Sequence, residues 1–340
     1  GFEGKILHHI TQTLENYDLP PVFDVNVYEP NIVVEYRGDP KNKKFTSFVS
    51  HVDTVDFDAN EWSHAPDSGD LIEIDGEWKL YGRGSLDVKQ GSAASLALIE
   101  ALIEQPVDKN FRFVFYEGEE TGDPTGASAL IQQGIITPEN TDVAFVIEPS
   151  KKNIIHGAFC NITIEVRVDG ISGHSSEPDH AINAIRVLAE AIVEIDEKFE
   201  RPSIRLGDEL FVSTLAPTVF DTPDKSTNVI KGTASALFDL RLVPNTDPEV
   251  VRKSIETLLN CVCARHEAES KCTLIKTEQG GVALWNDSTD FDSDIMAPCQ
   301  LPRKVYTLAR AFNLKPLIGK FWSDLATMLS AGIPAVNIGG

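Results

Sequence analysis

The sequence predicts a two-part α/β protein. A largely parallel sheet flanked by helices is interrupted by an α+β module of two helices on a four-stranded antiparallel sheet. Three observations carry this expectation. The runs Phe45–Ser50, Phe111–Tyr116 and Val143–Ile147 are rich in Val, Ile and Phe, as strands buried on both faces should be. A helical pattern, Ser92–Glu104, stands between the first two, with Ala94, Leu96, Ala97, Leu98, Ala101 and Leu102 as its apolar positions. Near residue 158 the pattern changes: Ile162–Val168 alternates apolar with polar or charged residues, as a strand with one wet face does.

In chain order, Ile6, Leu7, Ile10 and Leu14 fall at helical spacing and predict an amphipathic first helix. Alternation through Ile32–Tyr36 and Phe45–Val49 predicts strands. The second module is expected to hold a helix over Ala181–Phe199, strands at Val212–Pro217 and Thr233–Leu242, and a helix near Pro248–Ala264. Beyond about residue 270 the chain returns to loops, a helix at Lys304–Phe312 and a strand at Ala335–Ile338. The reading is of one catalytic domain, 1–157 with 271–340, and an insertion, 158–270. The strand bearing Val166 and Val168 is expected at an edge of the inserted sheet, where a second copy could pair with it.

A length of 340 residues suggests two domains, and 42% apolar content suffices for their cores. The net charge of −22, from 52 acidic and 30 basic residues, argues against a nucleic-acid partner. No stretch reaches the length of a membrane span. The five cysteines form no CxxC pair, which points to a reducing, cytoplasmic setting. The start, Gly-Phe-Glu-Gly, has no Met, signal-peptide core or Arg-rich transit pattern, and Gly1 reads as a fragment start.

Chemistry concentrates just past apolar runs. Phe45–Ser50 is followed by His51 and Asp53, Lys79–Leu80 by Asp87, Phe111–Tyr116 by Glu119 and Glu120, and Val143–Ile147 by Glu148. In an open parallel sheet the carboxyl ends of the strands line one crevice, where crowded carboxylates repel unless cations intervene. His and carboxylate donors without thiolates suit Zn²⁺, with Co²⁺ or Mn²⁺ as substitutes. Asp53 is placed to orient the His51 imidazole. Asp87, alone in a loop, has both oxygens free to bridge two ions. Glu119 and Glu120, adjacent in an extended segment, should point apart, so that one ligates while the other faces water.

The segments Ser50-His-Val-Asp-Thr-Val55, Tyr81-Gly-Arg-Gly-Ser-Leu-Asp-Val-Lys89, Glu117-Gly-Glu-Glu-Thr-Gly122, Glu148-Pro149 and Gly173-His-Ser-Ser176, taken in order, resemble the M20 family of metallopeptidases and N-acyl amino acid deacylases. The resemblance implies a zinc-peptidase-like catalytic domain with two zinc ions per subunit and an inserted dimerisation or lid domain. It implies that His51 and Glu148 bind one zinc and Glu120 the other, that Asp87 bridges them, that Asp53 supports His51, and that Glu119 is the general base. It also implies that His174 reaches the partner subunit's active site in a homodimer, and that Asn228 and Arg241 contact the substrate's carboxylate. In the family a last His, beyond a Gly-Pro-Gly turn, completes the second zinc site. Here the strand Ala335–Ile338 runs into Gly339-Gly340, so the reading expects a truncated chain holding at most about one tight metal.

Other readings compete at several positions. Asp87 could cap the following helix, although it precedes Lys89 and Gly91. Arg241 could simply pair with Asp239, and His180 rivals His174. His64, His156 and His266 read as structural or exposed, and Cys261 and Cys263 as facing two ways on a helix. Phe321-Trp-Ser-Asp-Leu-Ala326 followed by Ala331-Gly-Ile-Pro334 resembles the acetylornithine deacetylase and succinyl-diaminopimelate desuccinylase branch. The expected activity is removal of an acyl group from a small N-acyl amino acid, first N-acetylornithine in arginine biosynthesis. Succinyl-diaminopimelate, or a dipeptidase or carboxypeptidase activity, is the alternative, and a metal-deficient binding protein is the reading from another class. Neither a GxSxG elbow nor a P-loop is present.

Overall fold

A computed structural model describes residues 2–206, 209–244, 246–278, 281–284, 299–321 and 323–339. The apolar runs become the middle of a large mixed sheet. Asn110–Tyr116, Phe45–His51, Thr141–Ile147 and Ala335–Ile338 lie side by side and parallel. Phe23–Tyr28 and Asn31–Arg37 extend one side as an antiparallel hairpin, and Asn153–Ala158 continues the other. The helices Phe2–Asn16 and Gln90–Glu104 bury Leu7, Ile10, Leu14, Ile99 and Leu102 against one part of this sheet. Elsewhere Ala127–Gln132, Arg303–Ala311 and Asp324–Ser330 supply Leu130, Val305 and Met328 to a second core cluster. Covered on both faces, the central strands need no polar alternation.

The second module has its own antiparallel sheet, in the order Thr214–Asp221, Thr233–Leu242, Cys160–Asp169, Glu269–Glu278. Its helices Ala184–Lys198 and Pro248–Arg265 bury Val187, Leu188, Ala191 and Ile195, and Val251, Ile255, Leu259 and Val262, against it. These positions recur at three and four residues, the spacing of one helix face. Asn183 and Asp247 cap the two helices by accepting from Ile185 N–H and Glu249 N–H. The expected α/β architecture with its α+β insertion is therefore present.

Four local readings are corrected. Lys79–Leu80 is not a strand of the buried sheet; it ends an exposed two-stranded hairpin, Leu71–Ile74 with Glu77–Leu80. The strand of Val166 and Val168 is central and both side chains are fully buried, because Thr233–Leu242 and Glu269–Glu278 pair on its two sides. The edges are Thr214–Asp221 and Glu269–Glu278. Alternation reports one wet face, which central and edge strands of a half-exposed sheet share. Glu119 and Glu120 lie in a turn rather than in an extended segment. Lastly, the charge-rich stretch Glu190–Glu200, which by composition alone reads as a solvated helix face, is not merely solvated. Glu190 and Glu194 accept from Arg265, at 2.8 and 2.5 Å, and Glu190 meets His266 at 2.7 Å, tying the two helices together.

In the main sheet the fully buried Arg112 sends Nε and Nη2 to Glu35 Oε1, at 3.0 and 2.9 Å, and lies over the Phe45 ring at 4.4 Å. Removing the acceptor would leave a buried guanidinium charge without its main counterion. Glu35→Ala should lower unfolding free energy by about 3–5 kcal/mol, read as a lower urea midpoint with an unchanged slope.

Candidate metal centre

Three of the central strands deliver their following residues to one place. His51 ends its strand between Asn110–Tyr116 and Thr141–Ile147, opposite Tyr116 in the parallel register. Glu119 and Glu120 follow the first neighbour, and Glu148 follows the second. The turn bearing the two glutamates starts at Gly118, whose φ of +95° is one that a side chain would strain. Asp87 arrives from outside the sheet, in the irregular turn Ser85–Lys89 ahead of the helix Gln90–Glu104.

The imidazole is the hub. His51 Nε2 is 3.2 Å from Asp87 Oδ1 and 3.8 Å from Glu148 Oε1. On its other edge Nδ1 lies 3.2 Å from the Asp53 carbonyl oxygen and 3.3 Å from Asp53 Oδ1. Asp53 Oδ2 accepts from the Glu120 N–H at 2.9 Å, linking the histidine's strand to the glutamate turn. Donor atoms of His51, Asp87 and Glu120 lie within 4.8 Å of one another. His51, Asp53 and Glu148 are buried, whereas the Asp87 side chain is half exposed. Glu119 is half-buried and feels the charges of Glu148, His51 and Asp324.

The electrostatics are those of a negative cluster short of positive charge. Burial, joined by Glu148, pushes the Glu119 carboxyl up to about 9. Burial likewise raises Glu148 to about 8, against the pull of His51 and with the push of Asp87. Burial raises Glu120 as well, with Asp87 adding to it. For His51 burial opposes the charged form. Hydrogen bonds to Asp53 and Asp87 and the charges of Glu148 and Glu119 outweigh it and carry the imidazole to about 11. Glu148 Oε1 is buried with no hydrogen-bond partner among the described residues. A nitrogen donor and three carboxylates, one of them with an orphaned buried oxygen 3.8 Å from that nitrogen, fit a divalent cation with hard or borderline preferences.

Other residues singled out from the sequence lie in the second module. His174 is exposed; its Nδ1 is 2.7 Å from Ser176 Oγ, and its strand residue pairs with Val229. Asn228 is its neighbour, since Ser175 N–H donates to the Asn228 carbonyl at 3.1 Å. Arg241 forms the ion pair that the sequence offered as its other role, with Nε 3.0 Å from Asp239 Oδ1. Among the other histidines, His156 is buried, His64 packs edge-on to Tyr81 at 5.2 Å, and His266 holds Glu190.

Sequence reasoning gave Asp324 no role. It is buried at the start of the helix Asp324–Ser330, beside Tyr116, and burial pushes its carboxyl up. Its charge in turn raises both Tyr116 and Glu119. The signal was the Ser-Asp pair after Phe321-Trp, read only as a mark of the family branch; Trp322 lies outside the described residues.

Fold and site together define an α/β domain with a candidate metal centre at the carboxyl ends of its strands, interrupted by an α+β module. Residues 31–150 match the model for Peptidase family M28, and residues 156–267 match that for the Peptidase dimerisation domain of M20 proteins. The chain is 33% identical over 220 residues to succinyl-diaminopimelate desuccinylase 2 of Ruegeria sp., covering 62% of this chain and 53% of that one. It is 29% identical over 240 residues to an acetylornithine deacetylase of Dictyostelium discoideum, covering 66% and 53%. The chain thus spans about half the length of these curated relatives. A tripeptidase from Staphylococcus aureus has the same fold, with TM-score 0.70, 22% identity and coverage of 98% and 83%. So does a dinuclear metal-binding M20 peptidase from Bacillus subtilis, with TM-score 0.66, 13% identity and coverage of 98% and 82%. With the five motifs, these matches make the chain similar to M20 proteins in both of its parts. No helix among the described residues is long and apolar enough to cross a membrane.

The raised pKa values carry a testable sign. Glu119 and Glu148 hold protons in the folded state above their ordinary value of 4.5, so ionising them costs stability as pH rises through about 8 and 9. His51 acts in the same direction: its stabilisation is full below 6.5 and is lost as pH rises through about 11. Protein treated with a chelator should therefore melt at progressively lower temperature from about pH 5 to about pH 9. Excess Zn²⁺ should flatten that slope, because a bound cation favours the ionised carboxylates.

Proposed function

We propose that this protein is a metal-dependent amidohydrolase that removes the acyl group from an N-acyl amino acid. The observation that carries this reading is the convergence of His51, Asp87 and Glu120, with Glu148 3.8 Å from the same imidazole nitrogen. His51, Asp87 and Glu148 are proposed to hold one Zn²⁺, with Co²⁺ as a substitute, and Asp87 and Glu120 would supply part of a second, incomplete site. Such a cation supplies a lowered water pKa and polarisation of the scissile carbonyl.

The chain's own residues do the rest. Asp53 fixes the His51 ring through Nδ1 and anchors the glutamate turn through the Glu120 N–H. Glu119, whose proton affinity is raised by burial and by Glu148, takes a proton from the attacking water. As the C–N bond breaks, the same carboxyl returns that proton to the amine nitrogen, leaving a carboxylic acid and an amine, which part as carboxylate and ammonium once the acid's proton passes to the amine. His174 is proposed to serve the active site of a partner subunit in a homodimer. Asn228 and Arg241 are proposed to meet the substrate's carboxylate, for which Arg241 must leave or share Asp239.

N-acetylornithine is the first substrate to assay, which would place the enzyme in arginine biosynthesis. Succinyl-diaminopimelate and simple dipeptides are the rivals, since relatives named for both deacylases match at similar identity. A reducing, cytoplasmic setting suits the free Cys160, Cys261, Cys263 and Cys272. The domain arrangement, 1–157 with 271–340 around an insertion at 158–270, is part of the same proposal.

Two glutamate variants test the roles. Glu119→Gln should keep its metal content while kcat falls about 10²–10⁴-fold, because an amide accepts no proton. Glu120→Gln should instead lose metal, measured by plasma emission spectroscopy. Equal metal loss in both variants would sink the assignment. For assembly, light scattering at micromolar concentration should give the mass of a dimer; a monomer would remove the proposed role of His174.

A further inference from the structure

Beside the metal centre lies a cavity of about 500 Å³ whose walls include Thr54, Val55, Phe57, Leu80, Tyr81 and Arg83. It adjoins the carboxylate cluster directly. Thr54 follows Asp53, Ser85 on its lining precedes Asp87 by two residues, and the Val55 N–H hydrogen-bonds the Glu120 carboxylate. None of the roles above uses it.

Its chemistry is set by Arg83. Nε of this side chain is buried and has no hydrogen-bond partner among the described residues. The guanidinium lies over the Trp62 ring, 5.0 Å from its centroid. Trp62 is itself held edge-on by Tyr81 at 5.7 Å and by Phe57 at 6.3 Å, and the Tyr81 hydroxyl meets Ser63 Oγ at 3.1 Å. The Arg83 backbone is pinned by its N–H donating to the Pro66 carbonyl at 2.7 Å. Lys89 lines the same cavity. Its ammonium passes so close to Gly84, 2.4 Å from where a Cβ would stand, that Gly84 at φ +77° admits no side chain without displacing it. A buried polar N–H left unpaired is costly, and an arginine stacked on an aromatic plane is already oriented for a planar bidentate partner. Asp56 and Asp67 also belong to the lining and are exposed, so their charge is largely screened by water.

We propose that this cavity is a carboxylate-binding subsite in which Arg83, presented by Trp62, receives an anionic arm of the substrate lying next to the scissile amide. The assignment rests on the amidohydrolase reading for what the arm belongs to, but not for whether a carboxylate binds. The arm is the far carboxylate of a dicarboxylic acyl group or, in place of the role proposed above for Asn228 and Arg241, the carboxylate of the amino acid. Two probes separate these sources: succinate, and N-acetylglycine.

The test is calorimetric titration of the Zn²⁺-loaded full chain with succinate, N-acetylglycine and the neutral N-acetylglycinamide, in the wild type, Arg83→Gln and Arg83→Lys. Arg83→Gln should weaken at least one anionic probe by about 10–100-fold and leave the neutral probe within about two-fold, with Arg83→Lys in between. The probe that loses affinity identifies the arm. Unchanged affinity for both anions, or an equal loss for the neutral probe, would overturn the subsite, the latter by showing that Arg83 only props the loop. If Arg83→Gln fails to fold, the Arg83→Lys comparison decides in the same way, because lysine keeps the charge but not the fork. Failure of the amidohydrolase reading looks different: no acyl amino acid is hydrolysed, yet Arg83-dependent carboxylate binding persists.

Discussion

The crowding of carboxylates around one buried imidazole is the constraint on which the rest of this molecule depends. His51, Asp53 and Glu148 are nearly inaccessible to water, and Asp87 and Glu120 close the cluster from the solvent side. Like charges in a partly dry site must lose charge or be neutralised. Here the shifts of Glu119 and Glu148 toward the protonated form, and of His51 toward the imidazolium, are one response seen from three groups. A divalent cation answers the same need with more charge and without silencing the base. The parallel sheet explains how so unfavourable a cluster can be assembled: its strands are held by apolar burial on both faces, and His51, Glu119, Glu120 and Glu148 sit at or just past their carboxyl ends.

The second module has a different physical logic. Its sheet is wet on one face and covered on the other by two capped helices, which are joined to each other by the Glu190, Glu194, Arg265 and His266 contacts. What the module offers is an edge, Thr214–Asp221, with Val219 and Phe220 exposed, and a turn that puts His174 beside Asn228. The module's core cluster is separate from those of the main sheet, so that each part buries its own apolar side chains.

Legibility was uneven, for reasons that can be traced to particular residues. The buried strands and the helices of the insertion were readable because apolar periodicity is a direct consequence of burial. The position of Val166 and Val168 within their sheet was not, since pairing partners leave no mark on a strand's own alternation. Lys79–Leu80 looked like another sheet strand only because a motif followed it; two residues are too few to separate a hairpin from a buried strand. Arg83 passed as part of a motif until Trp62, twenty-one positions earlier, was seen beneath it. Asp324 went unassigned because its distance in sequence from Tyr116 hides its place under the glutamate turn.

By itself the sequence determined which residues could serve as metal donors, that most of them follow strands of the main sheet, and that an α+β segment interrupts an α/β one, because residue identity and local periodicity are properties of short stretches. Only the tertiary structure decided that Asp87 reaches His51 from a turn outside the sheet and that Asp53 joins two strand ends. It also decided that the inserted sheet presents Thr214–Asp221 rather than Cys160–Asp169 at its edge. Those outcomes depend on strand order and on contacts between segments tens of residues apart, which are settled by the packing of whole cores and not by any segment's own pattern.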